Sequence, residues 1–579
     1  MKKLPNLIYL GVLLLLVLVF QYNKPQSNHR ILEANLAAAL SLESKYIATC
    51  GNPKFDLGES MGKAPLLEGL GSHTFPISVD NEMAQRYFDQ GLNLAYAFNH
   101  TESHRSFKEA SNLAKGSPMP YWGQAYAIGP NINDPFIDEQ RKLTAVESLK
   151  KADSLLTNAN DLEKALIKAL TARYVTNSDS VIVDNVAYMQ EMKMVAESFP
   201  KHADVQTLYA AAIMNTMPWN YWELDKKPKE NTLAAKEALS KAVAINKKHA
   251  GAYHYHIHLT ELPFPDEAAK SGDALKNLMP GAGHIVHMPS HAYIRVGRYK
   301  DAAEANLNAI LADEAYISQC YSQGIYPLGY YPHNIHFLWA AATQMGDSQT
   351  ALAAARKTSE KASMELLEVF PVLQEFKAVP IQAYVRFGKW NELLTIPHPG
   401  EKFKHLKVFW NYGRGLAFIK KGNIEKAKET VSLLKAMSTD STLSNIVLYS
   451  NNNTGQIAKI AHDVVAAELA ASLGNNEQAK AFFKSAIKAE DALNYTEPPA
   501  WPQSSRLHYG DFLVKTGAFV DAVKVYQEDL EVWRNNGWAL RGLYNAYMGD
   551  GQKEKAESTM KQFKASWQYS DIEIKSAVL

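Results

Sequence analysis

The apolar pattern of this chain repeats, and small residues keep its register. From about residue 81, each unit places Gly or another small residue in a first helix. An Ala follows about twelve positions later, and another small or apolar residue seven beyond that. Gly91, Ser103, Phe107 and Ala110 fit this spacing, as do Gly415, Ala427 and Leu434. Ala467, Ala479 and Ala486 fit it as well, and so do Gly510, Ala522 and Tyr526. Ala268 to Ala302 and Ala522 to Ala556 are both steps of 34 residues. Small residues at such positions let the two helices of a hairpin pack closely, so the pattern predicts a stack of helical hairpins.

A period of this length with these small positions resembles the tetratricopeptide repeat, whose length is 34 residues. The expected fold class is therefore all-α, a tetratricopeptide-like solenoid of nine or ten hairpins behind an N-terminal membrane anchor or signal. The expected division is 1–23 signal or anchor, 24–80 linker and lead-in, and 81–245 N-terminal repeats. A His-rich repeat block at 246–366, C-terminal repeats at 367–569 and a tail at 570–579 follow. Four stretches break the repeat: 129–135, 214–232, 317–332 and 494–503, all rich in turn-forming or aromatic residues. They either cover the concave surface of the solenoid or plug it structurally.

Histidine distribution sharpens the picture. Of the 18 His, nine lie between His249 and Trp339, where an even spread would place about three. Aligning the turn at Gly297 with that at Gly346 sets His284 over His333 and His287 over His336. A 33-residue step carries His254 onto His287 and His258 onto His291. Residues three and four apart share a helix face. Three stacked hairpins would thus present His254, His258, His284, His287, His291, His333 and His336 to one surface. Imidazole is the commonest neutral metal ligand, and His on facing helices is how helical proteins build metal sites. A transition metal is expected, copper or zinc first and iron next. Seven imidazoles exceed one site, so two metals fit. A pair of three-His sites would correspond to dinuclear copper oxygen chemistry.

Other residues join this region by sequence position alone. Pro289 falls inside its helix register, so the helix either kinks there or begins there. Met288 could add a thioether, and Tyr330 and Tyr331 could support the site or simply pack. His249 and His256 read as structural. His100 and Glu102 in the first repeat, and Glu497 as a general base, are outlying candidates, each balanced by a cap or turn role.

Several phrases resemble one group of bacterial tetratricopeptide-repeat proteins. They are Phe98-Asn-His-Thr-Glu102 with Arg105-Ser-Phe107, Tyr121-Trp-Gly, Gly129-Pro-Asn131, His287-Met-Pro-Ser-His291 with Arg295-Val-Gly-Arg-Tyr299, Pro332-His-Asn-Ile-His-Phe337 and Glu497-Pro-Pro-Ala-Trp501. The resemblance spans most of residues 85–550. It implies a repeat protein and carries over no catalytic residues; in that pattern His104 weighs less than His100.

The N-terminus sets an expected address. Lys2 and Lys3 precede an apolar run from Leu4 to Phe20, the form of an export signal. No small-x-small cleavage site follows, which favours an anchor with the remaining chain on the outer side of the cytoplasmic membrane; cleavage and secretion are the alternative. Cys50 and Cys320 are the only cysteines, too few for a thiolate zinc site. A formal net charge of +1 offers no field for nucleic acid. Walker, dinucleotide-binding and HExxH motifs are absent. Two functions remain: a His-lined metal protein, with or without catalysis, and a metal-free scaffold for a peptide, protein or small-molecule partner.

Overall fold

The repeat resolves into antiparallel helical hairpins in a computed structural model that describes residues 62–177, 180–320, 326–448 and 452–579. The N-terminal anchor or signal and Cys50 lie outside the described residues. Among those described, no helix is long and apolar enough to cross a membrane. The architecture is all-α and tetratricopeptide-like. Successive pairs include Glu82–Tyr96 with His100–Leu113, Ala250–Thr260 with Pro265–Leu275 and Tyr331–Met345 with Ser348–Glu360. Towards the C-terminus come Lys404–Lys420 with Ile424–Ser438, Thr454–Ser472 with Asn476–Asp491 and Gly537–Gly549 with Lys553–Ser566. The strands described are two short antiparallel pairs, Tyr174–Thr176 with Val181–Val183 and Val447–Leu448 with Asn452–Asn453.

Close packing explains the small-residue register. Ala268, Ala302, Ala427, Ala479, Ala522 and Ala556 are all fully buried. A Cβ on Gly91 would stand 2.8 Å from the Phe107 ring, and one on Gly123 only 2.3 Å away. Gly510 and Gly542 flank Tyr526 in the same manner. The aromatic ring of one helix thus occupies the space that glycine leaves on its neighbours. At the turns, Gly297 and Gly346 adopt φ of +74° and +77°, the left-handed conformation that ends helices and that glycine enters without a Cβ clash.

The hairpins curve until distant parts of the chain meet. Ala250–Thr260 packs on Glu82–Tyr96, and Tyr331–Met345 on Gly537–Gly549. The Trp538 indole N–H donates to the Thr343 carbonyl at 2.9 Å, and the Tyr299 hydroxyl to the Arg534 carbonyl at 2.8 Å. The first repeat and the C-terminal repeats therefore both border the His-rich segment.

Gly123→Ala should destabilise the protein by about 1–3 kcal/mol through overpacking against Phe107. Gly116→Ala, whose Cβ would meet nothing nearer than 3.8 Å, should be close to neutral. Urea unfolding of both variants checks this.

Candidate metal centre

Six of the seven aligned histidines converge. The helix Ala250–Thr260 presents His254 and His258 one turn apart. The next first-helix is split: Gly283–His287 carries His284 and His287, and Pro289–Arg295 carries His291. Pro289 lacks an N–H, so the second piece begins there while the backbone stays helical through Met288. His333 comes from the first turn of Tyr331–Met345. Potential ligand nitrogens of His254, His258 and His284 lie within 4.8 Å of one another, as do those of His287, His291 and His333. The two trios adjoin. Ring centroids of His258 and His291 are 5.4 Å apart, and those of His284 and His287 are 5.6 Å apart.

Partners behind the rings decide their tautomers. His254 Nδ1–H donates to the Tyr96 carbonyl at 2.6 Å, an atom that can only accept. His287 Nδ1–H donates to Asn306 Oδ1 at 2.7 Å. The Asn306 amide is oriented for this, because its Nδ2 donates to the Ala302 carbonyl. Glu261, at the C-terminal end of the helix bearing His258, sits between the trios. Its Oε2 is 3.0 Å from His291 Nδ1 and its Oε1 is 3.8 Å from His258 Nδ1. His254 and His287 thus donate outward through Nδ1, which leaves their Nε2 atoms with lone pairs, while the Nδ1 atoms of His258 and His291 face Glu261 without a hydrogen bond among the described residues. The Nε2 atoms meet head to head: His254 and His258 Nε2 are 3.0 Å apart, and His287 and His291 Nε2 are 2.8 Å apart. Two ligands each about 2.0 Å from one metal stand about 3 Å apart when they subtend a near-right angle. A carboxylate or carbonyl behind each ligating imidazole is the usual way such rings are oriented. Neither nitrogen of His284 has a hydrogen-bond partner among the described residues.

A cavity of about 320 Å³ opens onto this surface. Two members of each trio line it, His258 and His284 from one and His291 and His333 from the other. Residues of all four repeat-breaking stretches also border it, among them Asn133, Trp219, Tyr330 and Glu497. These stretches are tied together: the Trp219 indole donates to Asn133 Oδ1 at 3.0 Å, and Asn133 Nδ2 donates to the Tyr330 hydroxyl at 3.2 Å. They therefore cover the concave face. Phe98, held at φ +57°, stacks parallel to His258 and lies 4.3 Å from the His254 centroid. The π-helical turn Tyr326–Tyr330 sets Tyr330 edge-on to His284.

The remaining sequence candidates separate. His336 is outside both trios; its ring stacks on Trp339 and meets Phe376 edge-on. Met288 is not at the centre but joins an apolar cluster with Leu94, Ile257 and Ile285. The Tyr331 hydroxyl is taken by Glu314, while Tyr330 borders the cavity. His249 caps its helix through Ala252 N and contacts Asp204, and His256 pairs with Ser271. His104 contacts the Gln124 carbonyl. Glu102 is paired with Arg105 at 2.5 Å, whereas His100 lines the cavity. Glu497 lines it too, accepting from the Tyr495 hydroxyl at 2.7 Å through Oε1. Glu261 was not singled out in the sequence, although its position three residues after His258 on one helix face is a legible signal. Phe98 and Asn306 carry no such signal, because their roles arise from packing.

Burial sets the electrostatics. Desolvation holds His254, His284, His287 and His333 well below the usual imidazole value, chiefly by opposing the charged form, with neighbouring imidazoles adding to it. His258 is lowered for the same first reason, and His100 falls to about 3. Burial works against ionisation of Glu261, yet the facing His291 and His258 bring it down to about 2. Burial pushes Glu497 up to about 7.

These shifts predict an acid-labile metal-free protein. Below pH about 6.5 the unfolded chain binds protons on its histidines, while His254, His284, His287 and His333 remain neutral in the fold. Stability is therefore present above that value and lost as pH falls through and below it. The buried carboxyls Asp313, Glu490 and Glu497, raised to about 7, act in the opposite sense but are outnumbered by the lowered histidines. The melting temperature measured with chelator should drop between pH 7.5 and 5.5; a flat or rising profile would contradict the assignment.

No family model and no curated protein matches the chain. Among solved structures it is similar to the human IFIT1 dimer with m7Gppp-AAAA, at 12% identity and TM-score 0.29, over 84% of this chain and 91% of that one. It is also similar to the P58(IPK) TPR domain, at 14% identity and TM-score 0.17, over 70% and 93%. A third is Naa15/Naa10 bound to HypK-THB, at 12% identity and TM-score 0.23, over 84% and 89%. At such low TM-scores none of these bears on what this chain does, and the repeat assignment stands on its own hairpins and their spacing.

Proposed function

We propose that this protein is a metal-dependent enzyme built on a tetratricopeptide-like frame, with two transition-metal ions each held by three imidazoles. One ion takes His254, His258 and His284, and the other takes His287, His291 and His333. The observation that carries the reading is the head-to-head Nε2 pairs at 3.0 and 2.8 Å. That spacing suits two ligands of one ion, and a cation seated at each pair would take both nitrogens. Desolvated rings stay neutral and ready to ligate. The loop-covered cavity supports small-molecule chemistry in preference to capture of an extended peptide. Its lining combines apolar and aromatic residues, Phe98, Ile132, Trp219, Leu373 and Phe376, with polar ones, Asn131, Asn133, Asp134 and Glu497, and suits a small substrate with both apolar and polar groups.

Elemental analysis after reconstitution of protein without a His tag should give two ions per chain. His287→Ala with His291→Ala should leave one, and His254→Ala with His258→Ala should likewise leave one. His336→Ala should leave both. Absence of bound metal in the wild type would return the protein to the scaffold reading, in which the histidines contact a partner.

We place the chain on the outer side of the cytoplasmic membrane, on the strength of Lys2, Lys3 and the apolar run from Leu4 to Phe20. A reporter fused after residue 60 should be active outside the cytoplasm, and activity only within it would overturn this address.

A further inference from the structure

Charge at the candidate centre narrows the choice of metal beyond the two-ion reading, on which this inference rests. Six imidazoles form the donor set; the carboxylate Glu261 faces the outer nitrogens of His258 and His291, and Glu497 lines the adjoining cavity. Every one of these groups but His333 is buried. Two divalent ions would bring four positive charges into this space against at most two negative ones, Glu261 and Glu497, and the cost of burying unbalanced charge is large. Iron pairs in helical proteins meet that demand with four Glu and two His. The set here is the reverse, with six His and at most two Glu. Two monovalent ions halve the imposed charge. Copper is the imidazole-binding metal with a stable monovalent state, and zinc has no redox chemistry.

The geometry then says where a further ligand would sit. The cavity reaches His258 and His284 of one trio and His291 and His333 of the other, so its floor is the space between the two ions. We propose that each trio takes one copper ion and that the pair binds dioxygen on the cavity side, between the trios. The step balances without an external reductant. Two Cu(I) ions give one electron each to O2, which becomes a bridging peroxide with its O–O bond intact, and two Cu(II) ions result. No proton moves. The summed charge of metals and oxygen is +2 before and after, so one protein field suits both states.

The experiment uses the full chain, stripped of metal, loaded anaerobically with Cu(I) and then exposed to O2. The expected result is two copper ions per chain, uptake of one O2 for each pair, and an oxidised form silent in electron paramagnetic resonance because the two Cu(II) spins couple. His333→Ala, checked for helicity by circular dichroism, should keep one tightly bound copper and lose oxygen uptake. Two coppers without oxygen uptake, or the resonance of isolated Cu(II), would overturn the dioxygen assignment and leave the two-ion centre standing. Two zinc ions bound with Cu(I) rejected would overturn the copper assignment alone. Failure of copper, zinc and iron alike to bind in pairs would remove the two-ion reading itself.

Discussion

Everything at the centre of this molecule depends on how imidazole protons are assigned from behind. The Tyr96 carbonyl, Asn306 and Glu261 each present an acceptor to an outer ring nitrogen. The Tyr96 carbonyl and Asn306 fix the Nδ1 protons of His254 and His287, and Glu261 lies close enough to His258 and His291 to share an ion with them. In a wet site the close approach of the inner nitrogens would be relieved by water or by protonation. Here the rings are buried, protonation of His254 and His287 is opposed by desolvation, and the close Nε2 pairs are spaced as two ligands of one ion would be. The orienting groups come from three different parts of the chain, so the site depends on the curvature of the whole stack.

That curvature rests on a simple device. Phe107 fills the space over Gly91 and Gly123, and Tyr526 does the same between Gly510 and Gly542. Close helix approach at these points sets the angle between hairpins, and the sum of many such angles carries the first repeat round to the pair Ala250–Thr260 and Pro265–Leu275. Tyr96 reaches His254, and Phe98 reaches His258, only because Glu82–Tyr96 packs on Ala250–Thr260. An ordinary repeat solenoid leaves its inner surface open to a partner. In this chain residues from the interruptions at 129–135, 214–232, 326–332 and 494–503 line the inner cavity, and Trp219, Asn133 and Tyr330 lace three of them together. A recognition groove is thereby converted into a small cavity with imidazoles at its floor.

Local spacing determined a great deal by itself. The 34-residue step among Ala268, Ala302, Ala522 and Ala556 specified hairpins, because only small side chains fit where helices touch. The i, i+3 and i+4 spacing of His254, His258, His284, His287 and His291 specified a shared face, because helix geometry allows nothing else. Register across hairpins was a weaker guide. It matched His336 with His287 as readily as it matched His333 with His284, and only packing separated them: His336 turns onto Trp339 and Phe376, while His333 joins His287 and His291. Three-dimensional structure alone divided the remaining six into two trios, drew Glu261 between them, sent Met288 into the apolar core and brought Phe98, His100 and Glu497 to the cavity. The reason is physical. Periodicity is a property of one helix and its neighbour, whereas the meeting of residues 98, 258, 333 and 497 depends on the accumulated turn of the superhelix, which no local pattern records.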